Sequence, residues 1–108
     1  MKYEYALHWY YHALLLSDRS PCTRGNVGAV IIDSFNNPIS MGFNGPPRGA
    51  TGTLCKNNRC ERNDLNIKSG THVEIGCHHA EANALMNALR KGISVDRCSL
   101  VITTAPCL

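Results

Sequence analysis

The chain has no apolar run of the length that export or a membrane requires. Near the N-terminus an acid stands at Glu4, and the apolar stretch Ala13–Leu16 is too short for the core of a signal peptide. No stretch approaches the length that spans a bilayer. These absences predict a cytoplasmic chain without a membrane partner. In that compartment thiols stay reduced, so six cysteines read as metal ligands before they read as disulfides. Charge of one sign is also scarce. A net +3 suits an anionic small molecule and is too weak to argue for nucleic acid. Repeats and low-complexity segments are absent. What remains, 44% hydrophobic and 18% charged residues over 108 positions, is the composition of one globular domain with a modest core.

Taken in order, residues 4 to 17 carry Leu7, Tyr11, Leu14 and Leu15 at helical spacing, which predicts a helix with that face inward. All four tyrosines and the single tryptophan lie in the first eleven residues, an aromatic surface suited to covering a sheet. His8 and His12 have the spacing of a helical zinc pair, but Trp9 occupies the position of the glutamate in H-E-x-x-H; they are expected to be surface histidines. Ser20-Pro21 ends the helix. Val27–Ile32 is a continuous apolar run and predicts a strand buried on both faces. Asn36-Asn37-Pro38 is turn chemistry, and the alternation of Ile39, Met41 and Phe43 predicts the second strand of an antiparallel hairpin.

From Asn44 to Gly76 the pattern is irregular, and an insert of that length in a small domain points to a function or a metal that fixes it. A second helix follows Cys77, with Ala82, Leu85, Met86 and Leu89 on one face and Gly92 just past its end. Ser99–Thr104 reads as another buried strand. Hairpin, helix and strand together predict an α/β fold with a mixed sheet.

The chemistry sits at His79, Glu81 and Cys107. A zinc ion that activates water takes three protein ligands and keeps one position open, with a base nearby that is not a ligand. His79 and Cys107 are ligand types. Glu81, two positions on at a helix start, can face the water without binding the metal. Pro106 suits a helix's first turn, and a helix N-terminus favours the thiolate of Cys107. This is the H-x-E … P-C-x-x-C pattern of zinc-dependent base deaminases, except that the second cysteine would lie beyond Leu108.

The chain resembles the cytidine and deoxycytidylate deaminase superfamily, and within it the deoxycytidylate deaminases. The resemblance rests on Cys22-Thr23-Arg24, Val27–Ile31, Gly42–Gly49, Ser69-Gly70-Thr71, His79–Ala84 and Thr103–Cys107, nearly the whole length. It implies a three-layer cytidine deaminase-like fold with helices on both faces of the sheet. It also implies hydrolysis of dCMP to dUMP and ammonia, with Glu81 as the proton carrier and His79 and Cys107 on the catalytic zinc. Backbone N–H at Ala80 would hold the pyrimidine and Asn44 the sugar. Spacing alone makes Asn44-Gly45 a turn after a strand. Arg24 and Arg48 are candidates for the phosphate, or solvated surface charges. The resemblance further implies a homo-oligomer, and regulation by dCTP and dTTP with Mg2+.

A second, structural zinc is implied by the same resemblance, held by Cys22, Cys55 and Cys77 with Cys60 or His72 as the fourth ligand. It would pin the long insert. Cys98 is expected to be structural. With only His79 and Cys107 present the catalytic zinc lacks a protein ligand, so residues 1–108 are expected to be the N-terminal portion of one deaminase domain. The C-terminal strands and helices would be missing and the piece inactive alone. Other readings are a cytidine or tRNA-adenosine deaminase, or a zinc-stabilised nucleotide-binding module without turnover. Glu81 speaks against the last, because a purely structural metal needs no free carboxylate beside it.

Overall fold

Five consecutive buried residues, Gly28–Ile32, form strand β1, the centre of the fold. The computed structural model describes residues 2–21, 25–45 and 79–104. Their elements in chain order are α1 (Tyr3–Ser17), β1, β2 (Pro38–Phe43), α2 (Ala80–Arg90) and β3 (Ser99–Ile102). The described strands make one sheet in the order β2-β1-β3, both pairings antiparallel. Strands β2 and β3 therefore run parallel on either side of β1, joined by the connection that carries α2.

Burial of β1 on both faces follows from a helix on each. Val30 and Ile32 pack with Trp9 and Ala13 of α1, while Ala29 and Ile31 pack with Ala80 and Ala84 of α2. Successive side chains of a strand point to opposite faces, so this alternation puts the two helices on opposite sides of the sheet. The three-layer arrangement implied by the family resemblance is present.

The β1–β2 turn is closed by Asp33, whose Oδ1 accepts from Phe35 and Asn37 N–H. Asn36 takes a positive φ of 64°, a conformation that asparagine tolerates better than most residues. Past the turn the register shifts between Ile31 and Ile32, leaving Ile39 as the extra residue of a bulge.

Both helices correct the expected faces. On α1 the buried residues are Trp9, Ala13 and Ser17, whereas Leu7, Tyr11, Leu14 and Leu15 are exposed. On α2 they are Ala80, Asn83, Ala84 and Ala88; Leu85 and Leu89 are exposed, and Ala82 and Met86 only half-buried. The cause is the closeness of the contact. A Cβ at Gly28 would collide with the backbone carbonyl of Ala13, and one at Gly42 would lie 2.5 Å from Ala84 N. At these two close approaches only small residues fit, Ala13 on α1 and Ala80 and Ala84 on α2, while Trp9 is buried one turn before Ala13.

Strand β3 also differs from the buried strand expected. Ser99 and Leu100 are exposed, and Val101 and Ile102 half-buried, because among the described strands β3 has β1 as its sole neighbour. Beyond it, Thr103 N–H bonds Gly28 O and Thr103 Oγ1 accepts from Gly28 N–H, each at 3.1 Å. The end of α2 is as expected: Gly92 takes φ 67°, and Ile93 N–H returns to Ala88 O at 3.0 Å.

Candidate active site

His79 is the N-cap of α2, with extended backbone (φ −68°, ψ 157°), and its side chain makes no capping bond. An N-cap usually spends its side chain on the helix's first amides. Here the imidazole is exposed and not used that way. The first intrahelical bond runs from Asn83 N–H to His79 O at 3.0 Å. The N–H groups of the preceding turn, beginning with Ala80, have no intrahelical acceptor, and the dipole's positive end lies there. Ala80 itself is buried against the sheet, and Glu81 stands half-buried in the first turn. Adjacent helical residues are about 100° apart around the axis, so His79 and Glu81 flank the buried Ala80 at one helix end.

The position of that end is fixed by β2. Gly42 lets the backbone of Ala80–Ala84 touch the strand. Ser40, buried on the same face, donates its Oγ–H to Ala84 O at 2.7 Å. Asn83 Nδ2 donates to Phe43 O at 2.8 Å and Gly45 O at 3.2 Å. One turn later Asn87 Nδ2 donates to Met41 O at 2.9 Å. Phe43 and Met41 are two residues apart and so present their carbonyls on one edge. The two asparagines satisfy acceptors that an edge strand would otherwise leave open. Asn83 is a residue of the candidate site that the sequence reading missed. Its signal was an amide on the 80/84/88 side of an alanine-rich helix, four residues before a second one.

Asn44, which Asn83 brackets through Phe43 and Gly45, joins the strand exit to the segment before β1. Its Oδ1 accepts from Val27 N–H at 2.9 Å and its Nδ2 donates to Gly25 O at 2.8 Å. Its backbone N–H bonds Val27 O, and its own O accepts from Ser20 Oγ. A primary amide offers two donor and two acceptor positions, so these side-chain bonds leave one of each. The structure thus brings the α2 start and Asn44 together through Asn83.

The remaining candidates lie outside the described residues: Cys107 of the catalytic pair, Arg24 and Arg48, and the second-zinc set Cys22, Cys55, Cys60, His72 and Cys77. Among the described residues, no three His, Cys, Asp or Glu side chains gather at one point. Cys98 is half-buried against the α2-side core, as a structural cysteine should be, with Sγ 3.6 Å from Asp96 O.

Among the described residues, cavities adjoin the sheet at two places. One of about 250 Å³ is lined by Arg19, Phe43, Asn83 and Asn87 among others, with the Arg19 guanidinium 5.5 Å from the Phe43 ring centre. The larger, about 520 Å³, lies on the α1 side beside His8, Trp9 and His12 and includes no residue of α2. Size therefore does not locate the chemistry here. No described helix is long and apolar enough to cross a membrane.

Comparison with known proteins adds three findings. Residues 4–108 match the family described as the cytidine and deoxycytidylate deaminase zinc-binding region. Deoxycytidylate deaminase of Schizosaccharomyces pombe is 37% identical over 97 residues, covering 89% of this chain and 29% of the relative. The human deoxycytidylate deaminase is 34% identical over 95 residues, covering 88% of this chain and 49% of its own. The chain thus spans half or less of these relatives. Among solved structures, dCMP deaminase from the cyanophage S-TIM5 superposes with a TM-score of 0.73 in its apo form, at 29% identity, over 99% of this chain and 71% of that one. The same protein in complex with dCMP and dUMP gives 0.73 at 28% identity.

Proposed function

The chain belongs to the cytidine and deoxycytidylate deaminase family, and on that premise we propose that it carries the His79–Glu81 half of a zinc-dependent dCMP deaminase site. The observation that carries this reading is the start of α2. An imidazole left out of capping and a carboxylate flank Ala80 there, and Asn83 ties that turn to the carbonyls on either side of Asn44, those of Phe43 and Gly45.

The reaction is dCMP and water to dUMP and ammonia. The donors suit zinc: His79 supplies an imidazole, and the thiolate of Cys107 is the companion it would take. Zinc bound there supplies a water acidic enough to act near neutral pH. Glu81 would take one proton from the attacking water and pass it to N3, then take the remaining proton of the new hydroxyl at C4 and pass it to the departing amine, which leaves as ammonia. Ala80 N–H, without an intrahelical acceptor, is available to the pyrimidine oxygen. Asn44 offers its remaining donor and acceptor to the sugar, and Arg24 or Arg48 meets the phosphate. A structural zinc among Cys22, Cys55 and Cys77, with Cys60 or His72, completes the donor set. Thiolate ligands need a reducing compartment, which agrees with the cytoplasm. Family resemblance supports a homo-oligomer, and dCTP and dTTP, with Mg2+, as effectors.

The test is ammonia release by the protein from dCMP, deoxycytidine, cytidine and adenosine in RNA, together with zinc content. Glu81→Gln is expected to keep its zinc and lose a factor of roughly 10²–10⁴ in turnover. No turnover by the parent on any of the four would replace this reading with a binding module, and turnover unchanged in Glu81→Gln would take the proton-carrying role from Glu81. Preference for another of the four would make it a different deaminase.

A further inference from the structure

Helix α1 carries a pair of metal-binding side chains that the deaminase reading does not use. His8 and His12 are one helical turn apart, both exposed, and their Nε2 atoms approach to 3.1 Å. Two bonds of about 2.0–2.1 Å from one ion, at angles between square and tetrahedral, hold their nitrogens roughly 2.9–3.4 Å apart. The pair already stands at that bite. Its rings are also braced. His8 meets Trp9 edge-on with ring centres 4.6 Å apart, and Trp9 lies 5.0 Å from His12. Trp9 is itself buried and donates Nε1–H to Asn36 Oδ1 at 2.8 Å. Ordering side chains is a large part of the cost of binding, and here much of it is already met.

We propose that His8 and His12 form a surface chelate for a borderline divalent transition ion, with water completing the coordination, apart from the zinc ascribed to His79. Imidazole is a donor that Ni2+, Cu2+ and Zn2+ all accept. Without an ion, one ring donates its Nε2–H to the Nε2 of the other. On binding, that ring moves its proton to Nδ1, and both Nε2 lone pairs turn to the metal. Trp9 occupies the place of a general base, so the site binds and does not hydrolyse.

Trp9 is the only tryptophan in the chain and lies beside both rings, so bound Ni2+ should quench its fluorescence. The protein is loaded with zinc to fill its thiolate sites, desalted, and titrated with Ni2+. A saturable quench with one ion per chain is expected. Its midpoint should weaken at least about tenfold in His8→Gln and in His12→Gln, because each leaves a single imidazole and forfeits the chelate. No quench in the parent protein, or the same midpoint in both variants, overturns the proposal. Both substitutions are at exposed positions, so loss of the fold does not blur the result.

Discussion

The two helices cover the same sheet and are held to it in different ways. Helix α1 seals its face with Trp9, Ala13 and part of Leu16 over Val30 and Ile32. A side-chain hydrogen bond from Trp9 Nε1–H to Asn36 Oδ1 ties it to the sheet's turn. Helix α2 presents alanines, and three of its residues share hydrogen bonds with β2: Ala84 with Ser40, Asn83 with Phe43 and Asn87 with Met41. Apolar contact is non-directional and tolerates sliding; hydrogen bonds fix angle and height. The helix that only covers can rest on a large aromatic. The helix that carries His79 and Glu81 is fixed along its length, as the site proposed there would require.

Both helices depend on a glycine beneath them, and substitutions there should have the largest effects. Gly28→Ala drives a methyl into Ala13 O, a backbone atom that can yield only if α1 moves. Gly42→Ala brings one to 2.5 Å from Ala84 N and 2.7 Å from Ala80 O. Overpacking of this kind costs about 3 kcal/mol or more at Gly28 and about 2–3 kcal/mol at Gly42, read by urea unfolding. A milder loss at Gly28 than at Gly42 would mean that α1 slides more freely than its contacts imply.

Next in size is the difference between two asparagines on one helix. Asn83 is buried and satisfies two carbonyls, so Asn83→Ala strands buried acceptors and should cost about 2 kcal/mol. Asn87 makes the same bond in an exposed setting, where water can replace it, and Asn87→Ala should cost about 0.5 kcal/mol. Equal losses would show that the α2 end is not fixed more tightly than its middle.

These anchors mark where the sequence stopped being legible. β1 was readable because a strand covered on both sides is apolar at every position. The hairpin was readable from Asn36-Asn37-Pro38, and the stop of α2 from Gly92. The orientation of both helices was not. Periodicity assigns the largest apolar residues to the core, and Leu7, Tyr11, Leu14 and Leu89 obey the helical period while facing outward. What decides the face is the surface opposite. Gly28, Ser40 and Gly42 leave room for alanine and serine alone, and that pairing appears only once the strands are in register. His79 and Glu81 stand out in sequence as candidates because the H-x-E pattern is local. Asn83 was not, because its role depends on carbonyls some forty residues away.

The smallest effects test whether the outer side of α1 is free surface. Trp9→Phe keeps most of the buried ring and loses the bond to Asn36 Oδ1, leaving that acceptor to water; about 1 kcal/mol should be lost in thermal unfolding. Leu15 is 69% exposed, though the sequence pattern set it inward, and Leu15→Lys should change stability by less than about 0.5 kcal/mol. Trp9 and Leu15 sit on one helix with like hydrophobic character, so the contrast depends on which side of α1 meets the sheet. If Leu15→Lys instead cost as much as Trp9→Phe, the outer side of α1 would be buried against something in solution. Sedimentation of the parent protein against the variant would then tell a second copy from a fold within one chain: a contact between copies is lost with a change in mass, a contact within one chain without it.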